Sequence, residues 1–233
     1  MTTRDDAGAK KPRRTLTRER VLQAAIELAD EEGISGLSMR RLGTRLGVKA
    51  MSLYNHVASK EELLEGVIDL LLKDVPLPSP DDDWKDALRR RAESYRQIFL
   101  RHPWALGMLE ASRNPVDSAM RYTEAMSGCL RRTGFSYGMI IRALYVMDSY
   151  IYGHALQESA SPFEDMEEVK DLVQTLQGTI PIKEFPNLVE FMREYVLKGD
   201  INRLHPENSF RFGLEMIIDG LDRAKEEDDP GQG

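Results

Sequence analysis

The sequence predicts an all-α protein: a small N-terminal three-helix domain with a helix-turn-helix, followed by a larger helical body. Three observations carry this. Apolar residues recur at spacings of three and four along nearly the whole chain, in runs bounded by capping residues, glycines and prolines. No stretch alternates apolar and polar residues convincingly enough for a strand, and neither an internal repeat nor a low-complexity block is visible. The charge divides along the chain. Residues 1–60 hold 12 Lys or Arg against 7 Asp or Glu, and residues 61–233 hold 20 against 32, within a net charge of −7. A basic piece on an acidic body points to an anionic partner for the first piece alone.

Residues 1–16 are polar and include Lys10, Lys11, Pro12, Arg13 and Arg14; they are expected to be disordered. The stretch is either a basic arm that lies along nucleic acid or a solvated tail. Thr17 can cap a helix over 17–32, with Val21, Leu22, Ala25, Ile26, Leu28 and Ala29 on one face. Gly33 ends it, and Gly36 makes the turn onward. The next stretch, LSMRRLGTRLGVKAMSLYNH over 37–56, is the most informative in the chain. Ser38 can cap a helix whose apolar positions are Met39, Leu42 and Leu46, with Leu37 and Leu42 placed as a hydrophobic staple. Gly47 can take the left-handed conformation that closes the helix, and a second helix follows over 49–56. Helix, glycine turn and short helix form the motif that sets its second helix in the DNA major groove. The first helix carries Arg40, Arg41 and Arg45. The second carries Lys49, Ser52, Tyr54, Asn55 and His56, all able to bond phosphates or base edges. Short helix-turn-helices without DNA occur in helical proteins, but a second helix so poor in apolar residues suits a core badly.

Ser59 to Glu62 spell a capping box that opens a helix carrying Leu63, Leu64, Val67, Ile68, Leu71 and Leu72. Lys60 lies in its first turn, where a cation opposes the helix dipole. That placement makes sense beside a DNA phosphate; otherwise Lys60 is a surface lysine. The small domain is therefore drawn over 17–63 and the body over 64–226, with 227–233 a disordered tail. VPLPSPDDD over 75–83 breaks the helix. In the body, a helix over 84–101 turns Trp84, Leu88, Tyr95 and Phe99 inward, and Pro103 stops it. A short helix carries Trp104, Leu106, Met108 and Leu109. Asn114 and Pro115 open another helix that reaches about residue 132. Ser136 caps a helix over 136–158 that is apolar nearly all round and is expected to be central. Residues 159–183 read as a weaker helix and loops, and two more helices follow over 187–198 and 207–225. On the last, Phe210, Leu214, Ile217 and Leu221 form a stripe that Phe212, Met216 and Gly220 widen, while Gly213 and Gly220 permit close backbone approach. An apolar face wider than one core needs suggests a subunit interface, and a twofold dimer would present two recognition helices to two half-sites.

The single cysteine, Cys129, excludes an internal disulfide. The four histidines (His56, His102, His154 and His205) have no metal-ligand spacing. No run of about eighteen apolar residues could span a membrane, and the charged N-terminus is unlike a secretory signal; a cytoplasmic protein is expected. No nucleophile–base pair, glycine-rich phosphate loop or paired metal ligands point to an enzyme, and no cofactor or metal is expected.

Residues 37–64, LSMRRLGTRLGVKAMSLYNHVASKEELL, resemble the tetracycline repressor (TetR) family of transcriptional regulators. The resemblance rests on Leu46-Gly47-Val48, Leu53-Tyr54, His56, Lys60 and Leu63-Leu64. The C-terminal half is similar to that of the repressor for which the family is named, through Gly134-Phe135-Ser136 and the segment from Phe210 to Leu221. The resemblance implies a homodimer, a pocket in each body for a small-molecule effector of unknown identity, and ligand-induced release from a palindromic double-stranded DNA operator. On DNA, Thr17, Tyr54, His56 and Lys60 would hold phosphates, while Arg40, Met51, Ser52 and Asn55 would meet bases, and Lys49 would meet one or the other. Trp84, Arg91, Tyr95, Phe99, Trp104, Met108, Glu110, Met126, Leu130, Met147, Tyr150 and His154 would line the pocket, although most would be core residues in any reading. Arg91, Glu110 and His154 are its polar candidates. The namesake's histidine, asparagine and glutamate contacts to a magnesium–tetracycline chelate fall here at Glu110, Arg91 and Gln157, so that ligand is not expected. An architectural DNA-binding protein without a ligand, or a transcriptional activator, is the alternative.

Overall fold

The computed structural model describes residues 15–111, 116–163, 165–176, 179–197 and 205–227. The Lys10–Arg14 run, the Asn114-Pro115 cap, the side chain of Glu110 and the last six residues lie outside the described residues. Among the described residues the chain is helical and without strands. It divides into two compact units, Met1–Leu70 and Leu71–Gly233, with the division inside the helix that opens at Lys60.

In the first unit, α1 (Arg18–Gly36) starts at Thr17, whose hydroxyl oxygen accepts from the Arg20 N–H at 3.3 Å. It leaves helical geometry at Gly33 (φ 71°, ψ 169°), where the sequence places its end. α2 (Met39–Leu46) is capped by Ser38, which accepts from the Arg41 N–H, and closed by Gly47 at φ 68°. α3 covers only Ala50–Leu53. The expected helix over 49–56 is thus half as long. Lys49 stays extended and offers no side-chain cap, and beyond Leu53 the chain turns so that Val57 enters the core. α4 (Lys60–Leu72) opens on the expected capping pair: Ser59 Oγ accepts from the Glu62 N–H at 3.1 Å, and the Glu62 carboxylate reaches back to the Ala58 N–H. Val21, Ala25, Leu37, Leu42, Leu53, Leu63 and Val67 are buried and form the core of this unit. Removing each large side chain from water contributes about 1.5–3 kcal/mol.

The second unit holds α5 (Trp84–Arg101), α6 (Pro103–Ala111), α7 (Asp117–Arg132), α8 (Tyr137–Ser159), α9 (Met166–Leu176), α10 (Pro186–Phe191) and α11 (Pro206–Glu227). α10 widens into a π-type turn over Met192–Leu197. Its core lies among α5, α7, α8 and α11, around Leu88, Phe99, Met126, Leu130, Phe135, Met147, Ile151, Phe210 and Ile218. α9, α10 and the π-type turn build a separate small cluster from Val173, Met192 and Val196. α8 is apolar on most sides but is not buried all round. Met139, Ile140, Ala143, Met147, Ile151 and Ala155 are buried, whereas Tyr137, Ile141, Tyr145 and Leu156 are exposed. α11 behaves likewise, with Phe210, Leu214, Ile218 and Leu221 buried and Phe212 and Met216 exposed.

Candidate nucleic-acid interface and ligand site

The first candidate site is the outer surface of α2, α3 and the N-terminus of α1. Gly43 lets the two helices of the motif meet. A Cβ there would lie 2.9 Å from the Val48 carbonyl oxygen and 3.1 Å from the Ala50 nitrogen, so any larger residue pushes on backbone. The Val48 N–H donates to the Gly43 carbonyl at 2.9 Å and fixes the turn. An open groove of about 630 Å³ runs beside it, lined by Thr15, Leu16, Arg20, Gly43, Thr44, Leu46, Gly47, Val48, Lys49 and Ser52. Lys49, Met51, Tyr54 and Asn55 are exposed around it, and Ser52 and His56 are half-buried. Met51 is 75% exposed although Leu53, two residues on, is fully buried. Thr17 is exposed at the start of α1 and Lys60 at the start of α4.

The basic residues of α2 divide. Arg41 pairs with Glu32 at 2.5 Å. Arg45 forms a two-pronged pair with Glu31 at 2.7 and 2.8 Å and reaches Glu27 at 3.1 Å. Its hydrogen bonds hold the Glu31 carboxyl below the usual carboxylate range. Both arginines therefore tie α2 to α1. Arg40, Lys49 and Lys60 have no ion-pair partner among the described residues and remain available to an anion. Gly43 is the functional residue that helical periodicity does not reveal, since its role depends on which helix packs against it.

The residues expected to line one pocket fall into separate places in the second unit. Trp84 lies at the start of α5, edge-on to Phe135 with centroids 4.9 Å apart. Leu130 adjoins Phe135, its carbonyl accepting from the Phe135 N–H. Tyr95, eleven residues along the same helix, is about 16 Å away at 1.5 Å per residue. Tyr150 and His154 turn to α11. The Tyr150 hydroxyl donates to the Phe210 carbonyl, and the His154 ring meets the Phe210 ring edge-on at 5.0 Å. Met126 and Met147 are fully buried core residues. Trp104 and Met108 are half-buried on α6, with Trp104 edge-on to His102.

Arg91, Tyr95 and Phe99 do come together, joined by Tyr122 of α7 and by Asp148 and Tyr152 of α8. The Arg91 guanidinium lies 4.5 Å from the Tyr95 ring centroid and 5.0 Å from that of Tyr122. Tyr95 sits edge-on to Phe99 and Tyr122, and Phe99 edge-on to Tyr152 at 5.3 Å. Arg91 Nη2 meets Asp148 Oδ1 at 2.6 Å. Its Nε and Nη1, and the Tyr122 hydroxyl, are buried without a hydrogen-bond partner among the described residues. A buried donor left unmet costs about 1–3 kcal/mol, more when charged. Burial pushes the Tyr122 and Tyr95 hydroxyls up from their ordinary range, so both stay protonated and able to donate. Farther along α5, Arg96 is buried and bonds both oxygens of Glu158 at 2.7 and 3.0 Å. No group of three or more potential metal ligands occurs among the described residues. No helix there is long and apolar enough to cross a membrane.

Two family models match the chain. Residues 21–67 match bacterial regulatory proteins of the tetR family, and residues 76–224 match the tetracyclin repressor-like C-terminal domain. A curated relative, the HTH-type transcriptional repressor DrrR1 of Streptomyces coeruleorubidus, is 31% identical over 91% of this chain and 79% of its own length. Tetracycline repressor protein class C of Escherichia coli is 30% identical over 90% of this chain and 92% of its own. The crystal structure of ActR of Streptomyces coelicolor in complex with actinorhodin matches with a TM-score of 0.73 and 29% identity, covering 89% of this chain and 96% of that one.

Proposed function

The chain belongs to the TetR family of bacterial regulatory proteins and is a ligand-responsive DNA-binding repressor; on that premise we propose that it binds a palindromic operator as a homodimer and leaves it when a small molecule occupies the helical body. The observation that carries the DNA part is the exposure of Met51 beside Lys49 and Asn55 on a helix whose Leu53 is buried. A long apolar side chain held in solvent among polar neighbours is suited to a thymine methyl group. In this reading Arg40, Met51, Ser52 and Asn55 meet bases, and Thr17, Lys49, Tyr54, His56 and Lys60 hold phosphates. The groove beside Thr44, Lys49 and Ser52 leaves room for the DNA backbone.

The homodimer is supported by the apolar surface left on two helices of the body. Tyr137, Ile141 and Tyr145 recur every fourth residue on α8, and Phe212 and Met216 do so on α11. Scattered exposed apolar residues need no explanation, but stripes on two packed helices are what a partner covers. Phe210, Leu214 and Gly213 serve the chain's own core instead, and Ile217 and Gly220 lie half-buried at the margin of the exposed face. The relatives' names speak for repression rather than activation. A regulator of this kind works in the cytoplasm and catalyses no reaction.

Selection of bound DNA from a random pool by the purified protein tests this reading. Two inverted half-sites in the recovered sequences are the expected result. Bound DNA without a shared sequence would replace it with an architectural role.

A further inference from the structure

The open groove beside the helix-turn-helix differs in charge from the chain that surrounds it. The chain carries 39 Asp or Glu against 32 Lys or Arg, yet among the described residues no carboxylate lines this groove. Its charged side chains there are Arg20 of α1 and Lys49, which precedes α3, and its hydroxyls belong to Thr15, Thr44 and Ser52. A Cβ at Gly47 would meet nothing within 4 Å, so the wall it forms leaves space for a large occupant. Arg20 is held in place: its Nη1 donates to the Thr15 carbonyl at 2.6 Å, and its backbone N–H donates to the Thr17 hydroxyl oxygen. A guanidinium carries five N–H donors, and the bond to Thr15 does not exhaust them. Two cations and three hydroxyls suit an anion with several acceptor oxygens. Ser52 of α3 lines the same groove, so an anion in it lies beside the recognition helix. A phosphate of the DNA backbone is such an anion.

We infer that Arg20 holds a phosphate of the DNA backbone in this groove, beside Lys49; the inference rests on the reading of the chain as a DNA-binding repressor. Arg20 is then a DNA contact on α1, outside the helix-turn-helix itself. Its planar fork meets two oxygens of one phosphate, whereas Lys49 acts as a point charge. The bond to Thr15 sets the guanidinium beforehand, so less side-chain freedom is lost on binding. The contact reads no base. It fixes where α3 sits along the backbone.

The test uses the full-length protein with two duplexes, the operator recovered by selection and one of random sequence. Affinity for each is measured by fluorescence anisotropy over a range of salt concentrations. Arg20→Gln removes the charge and keeps a donor for the Thr15 carbonyl. It should reduce the slope of log affinity against log salt by about 0.9 on both duplexes, and weaken both by about threefold to tenfold near about 0.1 M salt. Arg20→Lys should keep the wild-type slope. A residue that only anchors Thr15 would leave the slope untouched in Arg20→Gln. Neutral methylphosphonates, placed one at a time along the operator backbone, then locate the contact. At one phosphate of each half-site the replacement should weaken the wild-type protein by about threefold to tenfold and Arg20→Gln hardly at all. An unchanged slope in Arg20→Gln overturns the inference, as does additivity of the two changes at every phosphate. A protein that selects no operator but loses slope on the random duplex in Arg20→Gln would sink the repressor reading and keep Arg20 on the backbone. One that selects an operator and keeps its full slope in Arg20→Gln would sink only the inference about Arg20.

Discussion

The Tyr150 ring lies stacked on that of Phe210, 5.5 Å between centroids and 17° between planes, while its hydroxyl donates to the Phe210 carbonyl at 2.9 Å. This contact needs Gly213, because a Cβ there would stand 2.3 Å from the Tyr150 hydroxyl oxygen. The glycine is thus filled by a side chain of its own chain. Gly213→Ala should force Tyr150 out of its place and destabilise the protein by about 1–3 kcal/mol. Tyr150→Phe should lose about 0.5–1.5 kcal/mol, and the double variant should lose less than the two losses added. Urea unfolding of the four proteins measures all of this; additive losses would show that the two residues do not meet.

His154 ties stability to pH. Burial holds its pKa below the ordinary 6.5 despite the Glu158 carboxylate nearby, and the buried Arg96 guanidinium adds to the lowering. Between the folded value and 6.5, the unfolded chain carries a proton that the folded chain does not. Stability therefore declines as pH falls through that window and levels off below the folded value. His154→Gln should flatten this part of the curve. A profile of unchanged slope in that variant would assign the dependence to another group.

The helix boundaries were mostly legible because caps are local. Thr17, Ser38, Ser59 and Ser136 each accept the backbone bond that their position suggests. The length of α3 was not legible, since it depends on Val57 being drawn into a core built by other helices. The cluster around Arg91 was half legible. Arg91 stands out as a charge on the stripe of Leu88 and Tyr95, but nothing in the spacing of Tyr122 or Asp148 marks them as its neighbours. Periodicity finds which face is apolar and not whether a partner or the chain itself covers it. Phe210 and Phe212 look alike in sequence and face opposite ways.

Gly43 offers a test of the DNA-binding geometry that leaves every polar contact in place. Its neighbours at 2.9–3.1 Å are backbone atoms of the turn and of α3, which cannot swing aside as a side chain would. Gly43→Ala should shift α3 and lower operator affinity, at a stability cost of about 1–3 kcal/mol. Affinity is measured by fluorescence anisotropy at a temperature where both proteins are folded. Wild-type affinity would mean that α3 is not what reads the operator.

Lys60 and Asn55 should separate affinity from specificity. Lys60 is exposed in the first turn of α4, beside Glu61 and Glu62 and against the helix dipole. Lys60→Ala should weaken binding to all sequences alike and reduce the slope of log affinity against log salt by about one unit. Asn55→Ala should leave the slope unchanged and relax the preference at one base pair, by about 1–3 kcal/mol. A full salt slope in Lys60→Ala would remove its phosphate contact, and unchanged preference in Asn55→Ala would remove the base contact.

The exposed stripes of α8 and α11 can be challenged without touching the core. Tyr145 is 74% exposed and Phe212 70%, so Tyr145→Asp or Phe212→Asp should change the stability of a lone chain by less than about 0.5 kcal/mol. In a dimer built on these helices the same substitutions bury an unpaired carboxylate and should yield monomers in sedimentation. Operator affinity should fall with them, because each half-site is then bound alone. Phe210→Ala makes the contrast: it empties a fully buried site and should cost about 3–5 kcal/mol of folding stability. A dimer that persists in both aspartate variants would place the interface elsewhere and leave these stripes to another partner.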